Sequence, residues 1–536
     1  MKSIKSLLTT SVLAGGLLYN CGTTSEVIST LPENIDTSPL KVMDLNETEL
    51  KTWGHLDLEK DTIPGMSVDK AYNEILKNRT GKKVIVAVID SGIDIDHEDL
   101  NDVLWVNKKE VPNNGKDDDK NGYVDDVYGW NFLGDGYDEQ LEFVRILSSG
   151  NTSHPDYQRA QKEYDAEYKK WSGSKTQYDQ IYQQIKSADE SLTKHFGKSD
   201  YTAQDVKNIK SQDQKLVQAK NMALNMFAYG MSSMKEAKEE ITHALESVNE
   251  RLNYNLNKTF KGRKTGDNPE DLSDKFYGNG NVKPVKKTES HGTHVAGIIA
   301  AERNNGKGVN GVADNVQIMS VRAVPNGDEY DKDVALAIRY AVDNGASIIN
   351  GSFGKSFSPH SDWVRDAIAY AAKKDVVFVH ATGNDSKDVD VNPNFPDDNI
   401  NGKEVSDTYI RVGALAPRYG SNMVANFSNY GKQNVDVFAP GAQIYSTTPE
   451  NEYKTYGGTS MAAPAVAGVA ALIRSYFPKL KAKQVKQIIM DSGLSLNTKV
   501  VTGGNPNDIK TFSDLCKSGR IVNAYNALIM ASKLSK

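Results

Sequence analysis

Four residues far apart in the chain carry the side chains that acyl-transfer chemistry needs: Asp90, His291, Asn384 and Ser460. A serine hydroxyl is a weak nucleophile until an adjacent imidazole takes its proton during attack. The imidazole in turn needs a carboxylate to hold its tautomer and stabilise its cation. Donors aimed at the developing oxyanion complete the set. Taken singly these residues read as ordinary structure, an Asp or Ser as a helix cap and an Asn as a turn former. Their settings are more specific. The apolar run Val84 to Ile89 stops at Asp90-Ser91-Gly92, which reads as a buried parallel strand with a carboxylate at its carboxyl end. After Ser460 the run Met461 to Ile473 is small and apolar, and Pro464 is tolerable only within a first helical turn. Ser460 is therefore expected at the N-terminus of a buried helix, its backbone N–H facing the oxyanion.

Three segments resemble the catalytic blocks of the subtilisin-like serine peptidase family. They are Val86-Ala87-Val88-Ile89-Asp90-Ser91-Gly92-Ile93-Asp94, His291-Gly292-Thr293-His294-Val295-Ala296-Gly297 and Gly458-Thr459-Ser460-Met461-Ala462-Ala463-Pro464. They occur in the order Asp, His, Ser of that family, which excludes the Ser, Asp, His order of an esterase of the α/β-hydrolase fold. The resemblance covers residues 81–133 and 281 to the C-terminus. It implies a serine endopeptidase with Asp90, His291 and Ser460 as its triad. It also implies that Asn384, in Ala381-Thr382-Gly383-Asn384-Asp385, is the second oxyanion donor. By the same resemblance Ser352, Phe353 and Gly354 form one wall of the primary specificity pocket, and Ala381, Thr382 and Gly383 form the other. An extended peptide or protein substrate would pair with such a strand edge through main-chain hydrogen bonds. Neither wall carries an acid, so an apolar or broad preference is expected, with the pocket floor somewhere in residues 391–397. His97 and His294 are expected to be structural. The competing class is a catalytically idle scaffold of this fold that displays a helical binding module.

The elements that must position these residues follow from periodicity. Short apolar or β-branched runs at 318–324, 346–349, 376–379 and 410–415 alternate with helix-like stretches at 334–342 and 364–372. That pattern predicts an α/β fold, a mainly parallel sheet with helices on both faces, where ligands bind beyond the carboxyl ends of strands. Residues 134–280 break the rhythm. Tyr178, Ile181, Tyr182 and Ile185 share one helix face, as do Ile241, Ala244, Leu245 and Val248, so a helical inserted subdomain is expected there. It accounts for the 200 residues between Asp90 and His291, far more than the family's usual spacing. Residues 22–80 read as an N-terminal linker or extension, and 81–133 with 281–536 as the catalytic domain.

The segment Asp117-Asp118-Asp119-Lys120-Asn121-Gly122-Tyr123-Val124-Asp125 sets Asp117, Asp119, Asn121, Tyr123 and Asp125 in the pattern of an EF-hand calcium loop. Tyr128 stands where the final bidentate Glu belongs, so the site must be completed otherwise. A structural calcium ion is expected, and no cofactor for catalysis. A formal charge of -6 over 536 residues, without a basic stripe, makes nucleic acid a poor partner. Lys2 and Lys5 precede an apolar run from Leu7 to Leu18 too short to span a bilayer, which predicts an export signal. Cys21 directly follows, so residues 1–21 are expected to end in a lipidated cysteine. The chain is then a cell-envelope lipoprotein, or otherwise secreted, touching a membrane only through that anchor.

Overall fold

A computed structural model describes residues 40, 41 and 43–536. The expectations for the export signal and Cys21 lie outside them. A nine-stranded sheet forms the centre. In chain order its strands are β1 (Val84–Asp90), β2 (Gly129–Asn131), β3 (Val316–Arg322), β4 (Ile348–Gly351), β5 (Val377–Ala381), β6 (Tyr409–Leu415), β7 (Val437–Pro440), β8 (Leu494–Ser495) and β9 (Arg520–Ile521). They lie in the order β8-β9-β7-β6-β5-β4-β1-β3-β2, and all neighbours are parallel except β8 with β9. β1 is paired with β3 on one side and β4 on the other. The chain order reverses there, opening a crevice at the strands' carboxyl ends.

The runs are continuously apolar because both faces of the sheet are covered. Along β1, Val86 and Val88 face a core shared with helices His291–Ala300, Thr459–Tyr476, Ala482–Ser492 and Ala524–Leu534. Ala87 and Ile89 face the opposite core, under helices Asp331–Asp343 and Ser361–Lys373. Each Val or Ile so buried contributes about 1.5–3 kcal/mol relative to exposure. The expected α/β architecture is thus present. Among the described residues no helix is long and apolar enough to cross a membrane.

Two regions differ from, or sharpen, the sequence reading. The described part of the expected linker is packed structure: Trp53, Leu58, Ile63 and Met66 are buried, and Trp53 Nε1 donates to the carbonyls of Ala442 and Gln443 at 3.1 Å each. Too few apolar residues recur in register there to betray the docking, because each short turn buries only one or two. Between 134 and 280 the regular elements are helices, chiefly Glu142–Ser148, Tyr157–Phe196, Gln214–Ala228 and Met234–Glu250. The 40-residue helix is about 60 Å long. The two that follow pack along it around Ile185, Leu192, Ala219, Ala223 and Met234, a core separate from those that flank the sheet. At its root Phe143, Ile146 and Leu256 pack against Phe357.

Because Leu192 is fully buried in that separate core, Leu192→Ala should cost about 2–5 kcal/mol locally. Hydrogen exchange should accelerate across 157–250 while the slowest amides of β1 and β4 keep their rates. Equal acceleration in both regions would contradict two independently stabilised cores.

Candidate active site

Asp90 ends β1 and is 1% exposed, so its carboxylate needs partners. Oδ1 accepts the Ser91 amide at 2.8 Å, and His291 Nδ1 lies 2.8 and 3.0 Å from the two carboxylate oxygens. His291 is the first residue of helix His291–Ala300. Gly292 lets this helix close on β1, since a Cβ there would lie 2.3 Å from the Gly92 carbonyl oxygen. The imidazole is 38% exposed, so its far edge is accessible. Desolvation lowers its pKa, but the charge and hydrogen bond of Asp90 outweigh it and hold it above the ordinary 6.5.

Ser460 stands in the first turn of helix Thr459–Tyr476; Pro464 is its sixth residue, past the first turn expected for it, and the Ser460 carbonyl that a proline at this position cannot bond is taken up by Ser352 Oγ. Ser460 Oγ donates to the Ser352 carbonyl at 3.0 Å, and Ser352 Oγ donates to the Ser460 carbonyl at 2.8 Å. The serine is thus clasped to the segment after β4. Asn384 follows β5; its Oδ1 accepts the Thr459 amide at 2.8 Å and the Thr459 hydroxyl at 3.0 Å. These bonds fix the side-chain amide. A Cβ on Gly458 would lie 3.5 Å from Asn384 Nδ2 and 3.6 Å from the Ser460 nitrogen, so the two nitrogens border one small space.

Ser352, Phe353 and Gly354 leave β4, and Ala381, Thr382 and Gly383 end and leave the neighbouring β5. Asn394 lies between the two segments: a Cβ on Gly354 would be 3.1 Å from its Oδ1, and one on Gly383 3.1 Å from its Nδ2. Gly383 has φ +100°, a second reason for glycine there. Asn394 is held by Arg411 Nη2, at 2.6 Å from its carbonyl and 3.1 Å from Oδ1. Asn394 falls within residues 391–397, where the pocket floor is expected, although no pattern singles it out there. His294 and His97 have structural partners. His294 Nε2 faces the carbonyls of Ile444 and Lys454, burial pushing its pKa down to about 3, and His97 Nε2 faces that of Glu452.

In the acidic loop two of the five expected residues, Asp117 and Asp119, cluster with Glu110. Asp117 and Asp119 offer carboxylate oxygens that lie, with one from Glu110, within 4.8 Å of one another. Glu110 is 6% exposed. Its Oε1 accepts the amides of Asp118 and Asp119, while its buried Oε2 has no partner. An orphaned carboxylate oxygen beside two others fits a hard cation such as Ca2+, which takes six to eight oxygens. Asn121 Oδ1 accepts the Tyr123 amide; the Tyr123 ring packs against Trp130 and Tyr340, and the oxygen that a calcium loop takes from this seventh position is the main-chain carbonyl. The Asp125 carboxylate turns to the amides of Asn114 and Gly115, at 3.1 and 2.8 Å. Glu110 would supply the acid that the twelfth position lacks. It comes from upstream, where a forward loop pattern does not look.

The Subtilase family model matches residues 81–510, so the chain belongs to the subtilase family. It is 44% identical over 187 residues to the thermophilic serine proteinase of Bacillus sp. (strain AK1), covering 35% of this chain and 43% of that protein. It is 38% identical over 213 residues to thermitase of Thermoactinomyces vulgaris, covering 39% of this chain and 71% of thermitase. With the cell wall-associated protease of Bacillus subtilis (strain 168) it shares 34% identity over 235 residues, 44% of this chain and 24% of that one. The chain thus spans less than half the length of the first and third of these relatives.

Calcium at 100 times its dissociation constant should stabilise the fold by about 2.7 kcal/mol, read as a rise in Tm over chelated protein. Glu110→Gln should remove most of that rise. An unchanged calcium-dependent shift in this variant would place the ion elsewhere.

Proposed function

We propose that this subtilase is a serine endopeptidase working through an acyl-enzyme on Ser460. The observation that carries this reading is the bond from His291 Nδ1 to the buried Asp90 carboxylate, which orients the imidazole and leaves Nε2 as the base. As substrate enters, the Ser460 hydroxyl would leave the Ser352 carbonyl and turn its proton to Nε2; catalytic hydrogen bonds are often looser before substrate binds. Oγ attacks the scissile carbonyl while His291 accepts its proton. The oxyanion accepts hydrogen bonds from the Ser460 amide and Asn384 Nδ2. Collapse expels the amine, protonated by His291, and a water activated by the same imidazole hydrolyses the ester.

The peptide would lie extended along Ser352–Gly354, with its primary side chain between that wall and Ala381–Gly383 above Asn394. Glu110, Asp117 and Asp119 would hold a structural calcium ion. The basic start and apolar run before Cys21 support export, with Cys21 as the acylated anchor.

Ser460→Ala should lower kcat for peptide cleavage by about 10⁴-fold or more, and Asn384→Leu by about 10²–10³-fold with little change in KM. The base works only when neutral. As pH falls through the raised pKa of His291, activity is lost, so the acid limb of kcat/KM should have its midpoint above 6.5. Wild-type turnover by Ser460→Ala, or a limb centred below 6.5, would refute the assignment.

A further inference from the structure

A second cleft of about 430 Å³ opens beside the candidate triad. It is lined by Ser352, Phe353 and Gly354, by the segment after β3 from Val324 to Gly327 with Glu329, and by Asp90 and His291. It shares the 352–354 wall with the primary pocket but has a third wall that neither pocket block contains.

Glu329 on that third wall is 2% exposed, and its Oε1 has no hydrogen-bond partner. The cations close to it are committed elsewhere. Lys355 Nζ bonds Glu142 at 2.7 Å, Asp331 at 2.9 Å and the Glu329 main-chain carbonyl at 2.7 Å. Arg145 pairs with Glu142 and donates to the carbonyls of Asp328 and Glu329, at 2.8 and 3.0 Å. The Glu329 backbone is therefore clamped while its carboxyl is left over. Desolvation, helped by the charges of Asp328 and Asp331 against that of Lys355, pushes this carboxyl up to about 8. An arriving cation would reverse that balance, since it supplies both the missing charge and the missing donor. An orphaned acid beside an open cleft is costly unless something fills it.

We propose that Glu329 is a specificity residue that takes a Lys or Arg side chain of the substrate, on the acyl side of the scissile bond. The side is set by the 352–354 wall, common to this cleft and the primary pocket. The proposal rests on the peptidase reading, and it adds a basic requirement next to a primary pocket whose walls and Asn394 floor carry no acid. It also gives the helical insertion a use: Glu142 and Arg145, on its first helix, clamp the wall that presents the acid.

The test is cleavage of fluorogenic peptide sets identical except for Lys, Arg, norleucine or Glu at each of the first four acyl-side positions. At one position Lys or Arg should exceed norleucine in kcat/KM by about tenfold or more, the usual worth of a hydrogen bond to a charged group, and Glu should be worst. In Glu329→Gln that ratio should fall to within about threefold, and Glu329→Asp should lie between. A wild type that cleaves the sets with no basic preference overturns the proposal, whatever the variants do. So does a preference that survives in Glu329→Gln. A wild type that cleaves none of the peptides overturns the peptidase reading itself.

Discussion

A carboxylate at the end of a buried parallel strand must be paired, and that requirement organises the site. Asp90 is almost inaccessible, and the only side chain hydrogen-bonded to it among the described residues is His291. For the pair to form, helix His291–Ala300 must lie against the carboxyl end of β1, which the contact between Gly292 and Gly92 permits. That helix packs in turn on helix Thr459–Tyr476, whose first turn carries Ser460, and Asn384 pins the same turn from the end of β5. One electrostatic need at a strand terminus thus fixes the relative placement of two helices and two loops. The sheet supplies that terminus because β1 sits where the strand order reverses.

The 147 residues from 134 to 280 enter this frame beside the edge strand β2. Asn131 and Asn279, at the two ends of the segment, exchange main-chain hydrogen bonds at 3.0 Å in both directions. The sheet domain therefore meets a closed junction, and the entropic cost of the long excursion grows only with the logarithm of its length. Beyond the junction the helices bury their own apolar faces. At the junction the coupling is mixed: Arg145, Glu142 and Lys355 form ion pairs at the rim of the cleft, Phe143 and Ile146 pack on Phe357, and Tyr277 joins the core under the sheet.

The parts of this arrangement legible in sequence were those with short-range grammar. The unbroken apolar run into Asp90, the small residues after Ser460 and the repeating faces of Ile185 and Val248 each report a local environment, and the corresponding strand and helices are present. Tertiary convergence was less legible. Asn394 meets Gly354 and Gly383 across forty residues and eleven respectively, and Glu329 reaches the cleft from the far side of β3. Glu110 joins Asp117 and Asp119 from upstream of the loop whose spacing drew attention. The docking of Trp53 depends on carbonyls nearly four hundred residues away. In each case the partner is chosen by the fold, and spacing along the chain holds no trace of it.

The central claim is that Asp90, His291 and Ser460 act as one unit, and a fluorophosphonate probe reads that directly because it reacts only with a serine whose proton a neighbouring base can take. The folded protein should be labelled with one probe per chain, located on Ser460 by mass spectrometry of its peptides, and His291→Ala should abolish labelling while the fold is retained. Folded wild-type protein that takes up no probe, or carries it on another residue, would contradict the account.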